Sequence, residues 1–270
     1  MKSLRLLTIF TVASAVFLSS CQKEETLASQ ETPVSAEAAT KISQLGFSAQ
    51  NAQRVEDGYL VEGDIFLSEA DLNSRPDQKL LRVGSEEQYR TNNLVTGLPR
   101  VITIRVDNKL PSAYVTAINE VVRRYNEQGL LITFRRVTSG GNIVLTKAPS
   151  NASYLASAGF PTSTGNPFNS VKVNSSYLGS NPGTNYLATI LAHEVGHCIG
   201  FRHTDYADRS FSCGGQTANE GASTVGAIYI PGTAVNYDDD PTSWMLACIG
   251  SGDNRPFNDN DVTALSYLYK

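Results

Sequence analysis

All three histidines of this 270-residue chain fall in one short window, His193-Glu194-Val195-Gly196-His197-Cys198-Ile199-Gly200-Phe201-Arg202-His203. Residues four apart on a helix share one face, so His193 and His197 present both imidazoles to the same side, one turn apart. Zinc takes nitrogen ligands about 2.0–2.1 Å away in a tetrahedral arrangement, and one helical face supplies two of them. Gly200 is where the helix must stop and the chain turn back, because glycine takes the left-handed conformation at little cost. That turn returns His203 as third ligand. Three protein ligands leave a fourth position open to water, the mark of a catalytic rather than a structural zinc. Glu194, one step round the helix, reaches that water without being a ligand, in position to act as general base.

The pattern HExxHxxGxxH resembles that of the metzincin metallopeptidases. Those proteins carry a methionine turn beneath the zinc. This chain has two methionines, one of them the initiator, and Met245 in Ser243-Trp244-Met245-Leu246-Ala247 fits that place. Within the clan, the run His193 to Asp205 is similar to the dual-action HEIGH metallopeptidases, with Val195 where that family usually has isoleucine. The resemblance covers about residues 45–270 and weakens toward the N-terminus. It implies an α+β, metzincin-like zincin. The expected N-terminal subdomain has a twisted mixed sheet and two long helices; the C-terminal one is irregular, with the Met-turn and a final helix. It also implies a secreted zinc endopeptidase acting on proteins or peptides, in which Glu194 takes a water proton and returns it to the leaving amine. Substrate would lie along an edge strand near residues 154–160 by backbone pairing. A tyrosine that some metzincins carry after the Met-turn is missing; Tyr206 and Tyr237 are the candidates to replace it.

The elements that must hold these residues are visible in the pattern. Residues 100–106 alternate as a β-branched strand. Pro111 and Ser112 open a helix whose apolar positions recur at threes and fours through Tyr125, and Gly129 ends it. Strands follow at 130–137, 142–146 and 171–175, with a short edge strand at 154–160. Thr184 is expected to cap the helix that carries the histidines. Some 55 residues of little periodicity come next. The chain closes on a helix at 257–269, capped by Asn258 with Asp261 at its third position.

The N-terminus reads as an address. Lys2 and Arg5 precede an uncharged apolar stretch, residues 6–18, of signal-peptide length and too short to span a membrane. Leu18-Ser19-Ser20-Cys21 resembles the bacterial lipoprotein box, which implies cleavage after residue 20 and lipid on Cys21. Gln22-Lys23-Glu24-Glu25 resembles the tag that sends some Gram-negative lipoproteins to the cell surface, so an outer-membrane or cell-surface location is expected. The formal charge of −4, from 22 basic and 26 acidic residues with no long basic block, argues against nucleic acid as a partner. Residues 21–41, poor in large apolar side chains, read as a flexible tether. Residues 42–95 read as a pro-segment or accessory region, with one or two short strands at 58–67 and a polar linker at 75–93, and residues 96–270 as the catalytic domain.

Three cysteines remain besides Cys21, and three pairings are open. Cys213 with Cys248 is the expected one, because both flank the expected cleft, with Cys198 buried and reduced. Asp238-Asp239-Asp240 and the carboxylates from Asp253 to Asp261 are possible Ca²⁺ ligands or turn and cap residues. Asp205 is placed to orient a ligand or a buried N-terminus. The apolar run 59–67 must pack on something. If residues 22–95 restrain the enzyme as a pro-segment, a carboxylate would fill the metal's open position, with Asp57, Asp64 and Asp71 as candidates. Two other readings of the chain are a surface-anchored zinc-containing binding protein and a zinc amidase or deacylase with a non-protein substrate.

Overall fold

The computed structural model describes residues 34–45, 47–73, 88–221, 225–236 and 239–270. The leader, Cys21 and most of the tether lie outside these residues, as does most of the linker. No helix among the described residues is long and apolar enough to cross a membrane.

The described residues form a mixed α+β structure with a small N-terminal core and a larger main core. It opens with α1 (Ala36–Gln44), the three strands β1 (Gln53–Val55), β2 (Gly58–Val61) and β3 (Ile65–Ser68), and the single turn α2 (Glu69–Leu72). The strands pair antiparallel in the order β1-β2-β3. The stretch read as tether ends differently from expectation: α1 takes up residues 36–41. Ser35 caps it by accepting from the Ala38 amide, alanines favour the helix, and Ile42 anchors it by full burial. Ile42, Phe47, Val61, Ile65 and Leu67 form a small core of their own, closed from outside by Phe160 and Val225. Full burial of such a side chain is worth about 1.5–3 kcal/mol, which stabilises this unit, and Phe160 and Val225 pack it against the rest of the molecule.

The larger part begins with β4 (Tyr89–Arg90), which pairs with β10 (Ile228–Tyr229). This too departs from the expected linker: Gln88 and Tyr89 are buried, and the Tyr89 carbonyl accepts from the Arg202 amide. The main sheet comprises β5 (Arg100–Val106), β6 (Ile132–Val137), β7 (Ile143–Lys147), β8 (Ala156–Ser157) and β9 (Ser170–Val173), in the order β6-β5-β7-β9-β8. The first four neighbours run parallel and β8 is an antiparallel edge. The helices α3 (Ser112–Asn126) and α5 (Thr184–Ile199) pack on each other against it, with α4 (Ser175–Leu178) between β9 and α5. Gly183, not Thr184, is the N-cap of α5. Nearly every residue of α5 is buried, as a helix apolar all round must be. The single turn α6 (Ser210–Cys213) precedes β10, and α7 (Asp259–Tyr269) ends the chain with the expected Asn258–Asp261 capping box.

Candidate metal centre and active site

The last turns of α5 carry His193, Glu194 and His197. Gly200 ends the helix with φ +110°, and its amide donates to the His197 carbonyl. A side chain at this position would be strained in the backbone and would strike Leu94. Three residues further on, the chain has turned back far enough for His203 to face the other two histidines.

Their far nitrogens settle the orientation. His193 Nδ1 lies 3.0 Å from the Trp244 carbonyl, His197 Nδ1 2.8 Å from the Phe201 carbonyl, and His203 Nδ1 2.6 Å from Glu220 Oε1. A carbonyl or carboxylate oxygen can only accept, so each Nδ1 is the donor. In the neutral ring each Nε2 then carries a lone pair. The three Nε2 atoms converge with Asp64 Oδ2, all four ligand atoms within 4.8 Å of one another. Asp64 Oδ2 stands 3.1 Å from His203 Nε2, 3.3 Å from His193 Nε2 and 4.0 Å from His197 Nε2.

These donors fit a cation. His197 Nε2 and Glu194 Oε2 are buried with no hydrogen-bond partner, a costly arrangement in the absence of a compensating charge. Burial pushes the Glu194 carboxyl well above its ordinary range, and the neighbouring Asp64 charge adds to this. Burial, and then its histidine neighbours, hold His197 well below its ordinary value, which leaves the ring neutral and able to ligate. Burial opposes a charge on His203, but Asp64 and Glu220 on either side outweigh it and push the group well up. The site holds positive charge between its carboxylates. Three imidazole nitrogens with a carboxylate are the donor set of zinc. Among the described residues this is the one cluster of three or more potential metal-ligating side chains.

The segment around Met245 forms the floor. Met245 is fully buried, and a Cβ on Gly196 would sit 2.6 Å from its Sδ. The glycine inside the helix is therefore required by close approach of this turn. The Met245 carbonyl accepts from the Thr204 amide, and Asp205 Oδ1 accepts from the Ala247 amide. Asp205 thus ties the loop after the third histidine to the segment after Met245. Its other oxygen accepts from Ser212, beside the disulfide that joins Cys213 to Cys248. Cys198 is free and buried in the core.

Of the three carboxylates considered for the open position, the fold brings Asp64 to the histidines. Asp57 is exposed in the β1–β2 turn, and Asp71 closes the capping box of α2 with Ser68. Asp64 ends the loop Glu62-Gly63-Asp64 between paired Val61 and Ile65. The Ala158 amide donates to the Asp64 carbonyl and the Phe66 amide to the Ala158 carbonyl, so this stretch lies along the β8 edge, the line expected for substrate. Tyr206 packs its ring on Tyr89 and near Arg202. Tyr154, at the same cavity as Glu194, has its hydroxyl raised above the ordinary value by burial and then by the Glu194 charge. Asp240 and Asp261 bond to Gln88 and Asn258; Tyr237 and Asp238 lie outside the described residues.

Two residues escaped the sequence reading. Glu220 is buried and bridges His203, Arg202 and Arg209. Glu62 is buried against Arg202 at 3.1 Å, and Arg202 itself is fully buried. An ion pair thus fastens the Asp64 loop beside the third histidine.

A family model described as dual-action HEIGH metallo-peptidase matches residues 60–269, a stretch that includes Asp64. Among solved structures, a crystal structure of myroilysin is similar at 15% identity and a TM-score of 0.43, covering 66% of this chain and 86% of that one. A second myroilysin structure is similar at 17% identity and a TM-score of 0.42, covering 67% and 98%. No curated protein matches the chain.

Proposed function

The chain belongs to the dual-action HEIGH metallopeptidase family and is a zinc metallopeptidase, and from that premise we propose that it is an endopeptidase whose metal is held by His193, His197 and His203. The observation that carries this reading is the fixing of all three Nδ1 atoms by acceptors, which aims three Nε2 lone pairs at one point. Zinc bound there supplies a Lewis acid that lowers the pKa of water and polarises a carbonyl. Glu194 takes the water proton through its unpartnered Oε2 and returns it to the leaving amine. A cation held by the three histidines would favour the charged carboxylate and oppose the burial that raises Glu194. Met245 sets the height of the helix face from below, and Glu220 and the Trp244 and Phe201 carbonyls keep the imidazoles from rotating. We read the layout as metzincin-like, with Met245 as its Met-turn.

In this proposal residues 42–73 are a pro-segment. Asp64 takes the place a water would need, and the Asp64–Phe66 stretch bonds to Ala158, just past the edge strand that would align substrate. The Glu62–Arg202 pair and the small apolar core hold the plug in place. An outer-membrane or cell-surface location through an N-terminal lipid is part of the proposal, and the apolar leader followed by Cys21 supports it. The test is hydrolysis of denatured casein by the purified 22–270 chain and its Asp64→Ala variant, with and without a chelator. Activity that appears with zinc and vanishes with chelator supports the reading; chelator-insensitive activity, or none in a zinc-loaded Asp64→Ala chain, defeats it.

A further inference from the structure

A cavity of about 230 Å³ opens from the metal face beside His193 and Glu194. Its walls are largely apolar, formed by Leu155 from the edge strand region, Ile190 from α5, and Leu246 and Ile249 beyond Met245. Its carboxylates, Asp64 and Glu194, are both at the metal end. Arg255 also lines the cavity. The Arg255 amide donates to Thr189 Oγ1 at 3.0 Å, and Thr189 precedes His193 by four residues. The arginine's main chain is therefore pinned about one helical turn, ~5.4 Å along the axis, from the first histidine. Its Nη1 donates to the Cys248 carbonyl at 2.8 Å. No carboxylate among the described residues lies within ion-pair distance of it, although the charges of Asp253, Asp205 and Asp261 are near enough to favour its charged form. Arg209, which also lines the cavity, is already paired with Glu220.

An arginine that is half-buried in an apolar wall remains charged, and its guanidinium is shaped to receive a carboxylate. We propose that Arg255 makes this enzyme select an acidic side chain, glutamate above all, at one position flanking the scissile bond. The aliphatic stem would lie against Ile190 and Leu246, and the carboxylate would meet the guanidinium beyond Glu194. Lysine or arginine at that position would meet like charge. The inference rests on the peptidase reading and adds the class of substrate.

The test uses the zinc-loaded 22–270 chain and its Asp64→Ala variant on peptides differing only at that position, with Glu, Gln, Leu or Lys. Glutamate should exceed glutamine in kcat/KM by about tenfold or more, the scale of a charged hydrogen bond. Arg255→Gln should bring the two within about twofold, Arg255→Lys should keep part of the preference, and Arg255→Glu should invert it toward lysine. A purely structural arginine would lower all rates together without inverting the order. Cleavage without preference for glutamate overturns this inference and leaves the peptidase reading standing. If no peptide is cleaved, the peptidase reading fails, and binding of fluorescent Glu and Gln peptides to the zinc-loaded chain carrying both Asp64→Ala and Glu194→Gln still decides: tighter binding of the Glu peptide, abolished by Arg255→Gln, supports the pocket, and equal affinity overturns it.

Discussion

Asp64 Oδ2 and His203 Nε2 lie 3.1 Å apart across 139 residues of chain. One comes from a three-residue loop in an N-terminal sheet and the other from the turn after the zinc helix. The contact places a carboxylate where three imidazoles converge, and main-chain bonds from the Asp64–Phe66 stretch to Ala158 make it part of the sheet edge.

Removing that carboxylate should release activity. Asp64→Ala in the full chain is expected to raise casein hydrolysis about tenfold or more, since a strong charged ligand is lost from the site. Zinc content should stay at one per chain. A zinc-replete variant with unchanged or lower turnover would show that the loop is a stabilising accessory and no plug.

The ligand set is checked by metal analysis. His197→Ala should lose most of its zinc. Glu220→Gln should keep it but bind it about 10–100-fold more weakly, because the acceptor that fixes the His203 tautomer loses its charge. Competition with a chelator measures both, and full affinity in either variant would remove that residue from the account.

How much of this was legible beforehand depended on sequence distance. The helix of His193 and His197 could be read because its logic is local: four residues separate the two histidines, and Gly200 marks the turn to His203. Met245 was singled out by the scarcity of methionine, and it lies buried against Gly196 of the histidine helix. Asp64 could be narrowed only to three carboxylates, because its selection depends on how a separate small core docks on Phe160 and Val225. Glu220 and Arg255 carried no local signal at all, since tertiary packing alone brings them to His203 and Thr189. The start of the first helix was misplaced because a polar, alanine-rich stretch reads as tether until the burial of Ala38 and Ile42 is known.

Stability should depend on pH through Asp261. Burial, and secondarily Asp240, raise its carboxyl from 3.8 to about 7. Between these values the folded chain holds a proton that the unfolded chain releases. Stability is therefore fully present below about pH 4 and is lost as pH rises toward 7, by up to about 1.4 kcal/mol per unit. Asp261→Asn should unfold more easily at every pH, because four donors face this side chain, but should lose that slope. Melting curves at pH 5 and 8 under one metal condition check it; an unchanged difference between the two midpoints would contradict it.

Cys21→Ala should abolish lipidation and leave the chain in the aqueous phase after detergent partition. Continued partition into detergent would mean that the anchor lies elsewhere.

The most direct test of the central claim is casein hydrolysis by zinc-replete Glu194→Gln, prepared with Asp64→Ala and compared with Asp64→Ala alone. The amide cannot accept the water proton, so turnover should fall by about 100-fold or more at unchanged zinc stoichiometry. Near-equal turnover by the two zinc-loaded chains would contradict the assignment of Glu194 as base and the mechanism built on it.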